Sequence, residues 1–144
     1  LAATAVNLYF QVAEEIEEIE YSEEPLFSDF GDEDGYAELA VKFGFLTADG
    51  GVFEPQKSVT RSEVVDAFCK VLVKAGFEIN QNAKFKKEYA DIGELTGASR
   101  TNMAYMNSIG AITGYGNDIL APMDFATREQ VVVVAKRIVD ALFE

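Results

Sequence analysis

A mainly helical fold assembled from an internal repeat is what this chain predicts, and three observations predict it. An ordered block occurs twice: Phe53-Glu-Pro55-Gln-Lys-Ser-Val-Thr60-Arg61-Ser62-Glu63, and again Leu120-Ala-Pro122-Met-Asp-Phe-Ala-Thr127-Arg128-Glu129-Gln130. In each copy a hydrophobic residue stands two before a proline, a threonine stands five after it, and Thr-Arg-x-Glu/Gln follows. The two arginines, Arg61 and Arg128, are 67 residues apart. The similarity extends upstream, where Phe27-Ser-Asp29, Ala37, Ala40-Val41 and Gly44-Phe45-Leu46-Thr47 match Tyr89-Ala-Asp91, Ala104-Tyr105-Met106 and Gly110-Ala111-Ile112-Thr113-Gly114. Finally, three segments at the start, middle and end of the chain carry apolar residues at spacings of three and four, the period of a helix with one buried face. A block of this size occurring twice makes repetition the basis of the fold.

Taken in order, residues 1–20 read as one amphipathic helix on Ala2, Ala5, Val6, Tyr9, Val12, Ala13, Ile16 and Ile19. Glu14, Glu15, Glu17, Glu18 and Glu20 crowd its end against the helix dipole, and Pro25 follows the break. A short helix is expected over 36–43, stopped by Gly44. Asp49-Gly50-Gly51 is a turn rich in the one residue that adopts positive φ freely. A long helix over 61–75 ends at Gly76, where a C-terminal glycine belongs. Residues 77–97 are polar and irregular. A short helix from about Ser99 to Ile109 stops at Gly110, Gly114-Tyr115-Gly116-Asn117-Asp118 is a second turn, and the last long helix covers about 128–143. The domain division is 1–24 (a long helix), 25–76 and 85–144 (the two repeats), with 77–84 as linker. Since no Thr-Arg block precedes the first helix, it reads as the remnant of an upstream repeat, with Leu1 an internal cut point.

Composition narrows the function. The chain has 144 residues, enough for one domain with a real core, and its 49% hydrophobic content argues against disorder. Its net charge of -13 repels nucleic acid and anionic membranes, and no apolar run approaches the ~18–20 residues that span a bilayer. With one cysteine no intramolecular disulfide forms, and Cys69 lies in an apolar run that reads as core. The absence of histidine removes a Ser/His or Cys/His catalytic set, so no enzyme is expected and no cofactor or metal is implied. Asp32-Glu-Asp34-Gly35 fails the EF-hand spacing and reads as a solvated acidic loop.

With these blocks in view, the chain resembles the S-layer homology repeats of bacterial cell-surface proteins. Those repeats carry an aromatic-x-Asp start, a mid-repeat glycine pair, an apolar-x-Pro and a Thr-Arg-x-Glu. The resemblance covers roughly residues 25–76 and 85–144. It implies a pseudo-trimer in which one long helix per repeat faces a shared axis, here two full repeats plus the upstream helix. It also implies a secreted, wall-associated anchor whose inter-repeat grooves bind acidic, often pyruvylated, secondary cell wall polysaccharide. Carried over by position, the glycan-binding residues are Arg61 and Glu63 in one repeat, and Arg128 and Gln130 in the other, with Gly114, Gly116 and Asn117 supplying loop contacts. Two departures stand out: Gln130 replaces glutamate, and the first repeat lacks the second glycine, reading Gly44-Phe45-Leu46-Thr47-Ala48.

The same residues have purely structural roles. Thr-x-x-Glu/Gln opening a helix is a capping box, which accounts for Thr60, Glu63, Thr127 and Gln130 without any ligand. Capping has no use for arginine, and a cation in the first turn is mildly disfavoured. Two alternatives stay open for Arg61 and Arg128: an internal tie to Asp29 and Asp91, or an anionic ligand whose carboxylate suits a guanidinium. They correspond to two functions, a structural or protein-interaction module and a carbohydrate-binding anchor. The loss of an upstream half-repeat also predicts an apolar edge that promotes dimerisation.

Overall fold

The computed structural model describes residues 1–143 and contains five helices: α1 (Ala2–Val12), α2 (Tyr36–Lys42), α3 (Arg61–Lys74), α4 (Gly97–Ser108) and α5 (Arg128–Phe143). Among the described residues, β structure is confined to three isolated bridges, Asp49–Val52, Thr60–Phe125 and Gly116–Ile119. The protein is mainly α-helical, and α2 to α5 end within two residues of where glycines and caps place them.

The first helix is the exception. It stops at Val12 instead of running to residue 20, and Ala13 is extended at φ -79 and ψ 134. Beyond it, Glu14 to Glu20 would set like charges three and four residues apart on one helix, against the negative end of its dipole. The chain instead turns away, so that the Glu17 amide donates to the Tyr9 hydroxyl and its carboxylate pairs with Lys74 of α3. At 11 residues, α1 is shorter than the 14 of α3 and the 16 of α5. Residues 1–24 are therefore a short helix and an irregular acidic segment, not one long helix.

α1 packs against α2, α3 and α5, and α3 also packs against α4. The core they share contains Val6 and Tyr9 of α1, Val65, Phe68 and Leu72 of α3, Met103 and Met106 of α4 and Ile138 of α5. The Tyr9 ring meets Phe43 and Phe45 at 4.8 and 5.6 Å. Each such side chain contributes about 1.5–3 kcal/mol on burial, which explains why 11 residues of α1 hold as a helix that would be marginal alone. Cys69 belongs to this core, 3% exposed, and burial, aided by the Asp66 charge, pushes its thiol up to about 12.

The loops that follow α2 and α4 share most of their main-chain hydrogen bonds. Gly44 N–H donates to the Val41 carbonyl and Gly110 N–H to that of Asn107, each at 3.0 Å, and each closes its helix. Asp29 accepts from the amides of Phe53 and Glu54 at 3.0 and 2.7 Å, and Asp91 from those of Leu120 and Ala121 at 2.9 and 2.7 Å. Glu54 and Ala121 have matching φ of 57 and 58. These bonds correct one of the two alternatives for the aspartates: neither meets an arginine, because each carboxylate is used to hold its own loop's main chain through a left-handed turn. The Phe53 amide accordingly keeps the Asp29 carboxyl below its ordinary value. Asp32 and Asp34 are also committed, accepting from the Ala37, Glu38 and Tyr36 amides at the start of α2.

Candidate ligand-binding groove

Both predicted site arginines open a helix, and both helices are capped as their sequences require. Thr60 accepts from the Glu63 amide at 3.1 Å and Glu63 accepts from the Thr60 amide at 3.2 Å. Thr127 and Gln130 exchange the same pair of bonds at 3.1 and 3.0 Å, so glutamine keeps the box that glutamate makes. Beyond the caps the two sites diverge.

The start of α3 is seated on the loop over 113–126. The amides of Arg61 and Ser62 donate to the carbonyls of Asp124 and Pro122 at 2.9 and 2.8 Å, and the Ala126 amide donates to the Val59 carbonyl at 2.8 Å. Helix N-termini carry amides with no partner inside the helix, and here the neighbouring loop supplies acceptors. The Arg61 side chain follows its backbone inward. Its Nη2 donates to the carbonyls of Thr113 at 2.6 Å and Leu120 at 3.2 Å, and the guanidinium lies 4.6 Å from the centroid of the Tyr115 ring. The Tyr115 hydroxyl accepts from Gln130 Nε2 at 2.8 Å, which holds the ring over the arginine. Arg61 ends 6% exposed, with Nε buried and without a hydrogen-bond partner among the described residues.

The turn that builds this seat explains its glycines. A Cβ on Gly114 would come within 2.4 Å of the Ile119 carbonyl oxygen, so no side chain fits there. Gly116 and Asn117 adopt φ of 97 and 50, which glycine and asparagine tolerate best. The turn at Gly114 and the Gln130 side chain thus meet at Tyr115, above the buried Arg61, while Gly116 and Asn117 lie exposed on the turn.

Arg128 has the opposite surroundings. It is exposed, and its side chain makes no hydrogen bond or ion pair among the described residues. It lines a groove of about 830 Å³ between the start of α5, the start of α1 and the loop over 46–59. Glu63 lines the same groove with its carboxylate already committed to the α3 cap. Burial, and after it the Arg128 charge, lowers the Leu1 amino group below its ordinary value. The remaining charges of the groove are Asp49, exposed on the loop, and the pair Glu54–Lys57 at 3.5 Å. The predicted residues therefore split. Arg128 and Glu63 share an open groove, whereas Arg61 is buried against the second loop, with Gln130 half-buried beside it and bonded to the exposed Tyr115.

Tyr115, and the Thr113 and Leu120 carbonyls, escaped sequence reasoning as partners of Arg61. A carbonyl carries no residue-type signal; the aromatic ring of Tyr115 was the only sequence mark of the seat. No protein-family model, curated protein or solved structure matches this chain.

Proposed function

We propose that this chain is a non-catalytic anchoring module of the S-layer homology type. It holds an extracellular, wall-associated protein in place by binding acidic secondary cell wall polysaccharide, pyruvylated forms included. The observation that carries this reading is Arg128, an exposed guanidinium with no partner among the described residues, on the wall of an 830 Å³ groove. A planar guanidinium with free donors matches a carboxylate bidentately, and such a charge-assisted bond is among the stronger single contacts a surface site offers. A pseudo-trimeric hub, in which the loops over 46–59 and 113–126 belong to equivalent repeats, agrees with the starts of α1, α3 and α5 reaching one groove through Leu1, Glu63 and Arg128. Glycan binding is assigned here to Arg128 with Glu63 at the rim, and Arg61 and Gln130 are given a structural role.

The sealing of Arg61 favours a second reading, a structural or protein-interaction module without glycan binding, because it shows that the Thr-Arg block can be used wholly inside the molecule. Calorimetric titration with purified wall polysaccharide separates the two. The anchoring reading expects binding by the native chain and a loss of about tenfold or more in Arg128→Ala, the worth of one charge-assisted hydrogen bond, with an unchanged melting temperature. No binding by the native chain at low salt overturns it.

A further inference from the structure

The wall of the groove facing Arg128 is built like a seat for a cation. The second loop shows what such a wall does, since there the Thr113 and Leu120 carbonyls hold the Arg61 guanidinium. The first loop shares much of this internal bonding: bridge Asp49–Val52 matches Gly116–Ile119, and the Lys57 amide donates to Glu54 as the Asp124 amide does to Ala121. Counted from the helix-closing Gly44 and Gly110, Thr47 stands where Thr113 does, and by the bridges, past one extra residue in the second loop, Phe53 stands where Leu120 does. Both line the groove, and neither carbonyl accepts a hydrogen bond from the described chain. The helix starting beside them is α1. Its N-cap is Leu1 where α3 has Thr60, so Ala2 stands where α3 has Arg61. The chain thus supplies no side-chain cation from this position, the Leu1 amino group makes no hydrogen bond to either carbonyl, and Ala48 replaces the Tyr115 ring.

The charges of the groove point the same way. Glu54 is paired with Lys57 and Glu63 is committed to its cap, which leaves Arg128 and Asp49 as the side chains of opposite sign open to a ligand. Leu1 with its amino group, Lys57 and Arg128 stand against Asp49, Glu54 and Glu63, so the groove is lined by both signs equally and a purely anionic polymer meets as many unfavourable charges as favourable ones. A ligand with both signs satisfies Arg128 and, at the other wall, two carbonyls and a carboxylate. We infer that the groove takes a saccharide bearing both a carboxylate and a free amino group, with the carboxylate on Arg128 and the ammonium on the Thr47 and Phe53 carbonyls beside Asp49. This rests on the glycan-binding reading above and narrows it to a zwitterionic sugar.

The test uses oligosaccharides of glucuronic acid and glucosamine, titrated into the native chain with the amine free and with the amine acetylated. The free-amine form should bind about tenfold tighter, the effect of one charged hydrogen-bonded contact. That ratio should fall towards one in Asp49→Asn, and also in Ala2→Arg, which puts a guanidinium of the chain's own beside the two carbonyls. Arg128→Ala should weaken both forms together. Melting curves on each variant separate loss of the fold from loss of the contact. Equal affinity for the two forms, or no binding of the free-amine form, overturns the inference. Wall polysaccharide binding that is still lost in Arg128→Ala would then leave the anchoring reading standing, and its absence in the native chain would remove both.

Discussion

Arg61 and Arg128 hold the same place in the same sequence block, one residue after a capping threonine, yet one is 6% exposed and the other lies open on a groove. The difference is made by what each helix start faces. α3 faces a loop whose carbonyls and Tyr115 ring enclose a guanidinium, and α5 faces none. Removing the Arg61 side chain would leave the Thr113 and Leu120 carbonyls without their donor and Tyr115 without its support. Arg61→Ala should therefore cost about 3 kcal/mol in urea unfolding, within the range for losing hydrogen bonds to a charged, buried group. Arg61→Lys should recover only part of this, because an ammonium lacks the flat face that stacks on Tyr115. Arg128→Ala should leave the unfolding midpoint unchanged. If instead Arg61→Ala is as mild as Arg128→Ala, the buried Arg61 contact contributes nothing to the fold, and the division of roles between the two arginines fails.

At the level of the element, what the sequence made legible was whatever is decided locally. Thr60 with Glu63 and Thr127 with Gln130 form the bonds their spacing dictates, and Gly44, Gly76 and Gly110 stop helices with φ of 85, 98 and 80. Thr60→Ala and Thr127→Ala should each lower stability by about 1 kcal/mol, read as the shift of a denaturant midpoint at constant slope. What could not be read was decided at a distance. The apolar period of α1 continues through Ile16 and Ile19, and only the balance between that period and five crowded glutamates ends the helix at Val12. The aromatic-x-Asp motif suggested an ion pair with arginine because charge is visible in a sequence. Its actual partners are main-chain amides of Phe53, Glu54, Leu120 and Ala121, in turns where Glu54 and Ala121 take positive φ without being glycine and so give no warning. The candidate groove was legible as one arginine of two, and its wall over 46–59 was not, because carbonyls and a missing side chain at Ala2 have no residue-type signature.

For the molecule as a whole the governing quantity is its net charge of -13, with acids concentrated between residues 14 and 38. At neutral pH these carboxylates repel one another, so added salt should raise the melting temperature, the reverse of what a fold held by surface ion pairs would show. Acid brings two opposed effects. Protonating the exposed glutamates relieves repulsion. Asp29 and Glu38, however, have folded-state values below their ordinary 3.8 and 4.5. For Asp29 the Phe53 amide is the chief cause; for Glu38 burial pulls upward but the Ser22 hydroxyl and amide and the Lys42 ammonium outweigh it. A carboxyl depressed in the fold contributes stability that is fully present above its unfolded value, because both states are then ionised and only the folded one gains the hydrogen bonds to the charged group. That contribution is lost as pH falls through the folded value. The melting temperature should therefore hold or rise from pH 7 to about 5, where the general repulsion fades, and then fall as pH drops through the ordinary values of 3.8 and 4.5, where the unfolded chain takes up protons at Asp29 and Glu38 before the folded chain does. Asp29→Asn should flatten the acid limb, since the amide keeps one acceptor for the Phe53 and Glu54 amides at every pH. An acid limb of equal steepness in Asp29→Asn would mean that the loop over 46–59, and the groove wall it forms, is held by something other than this carboxylate.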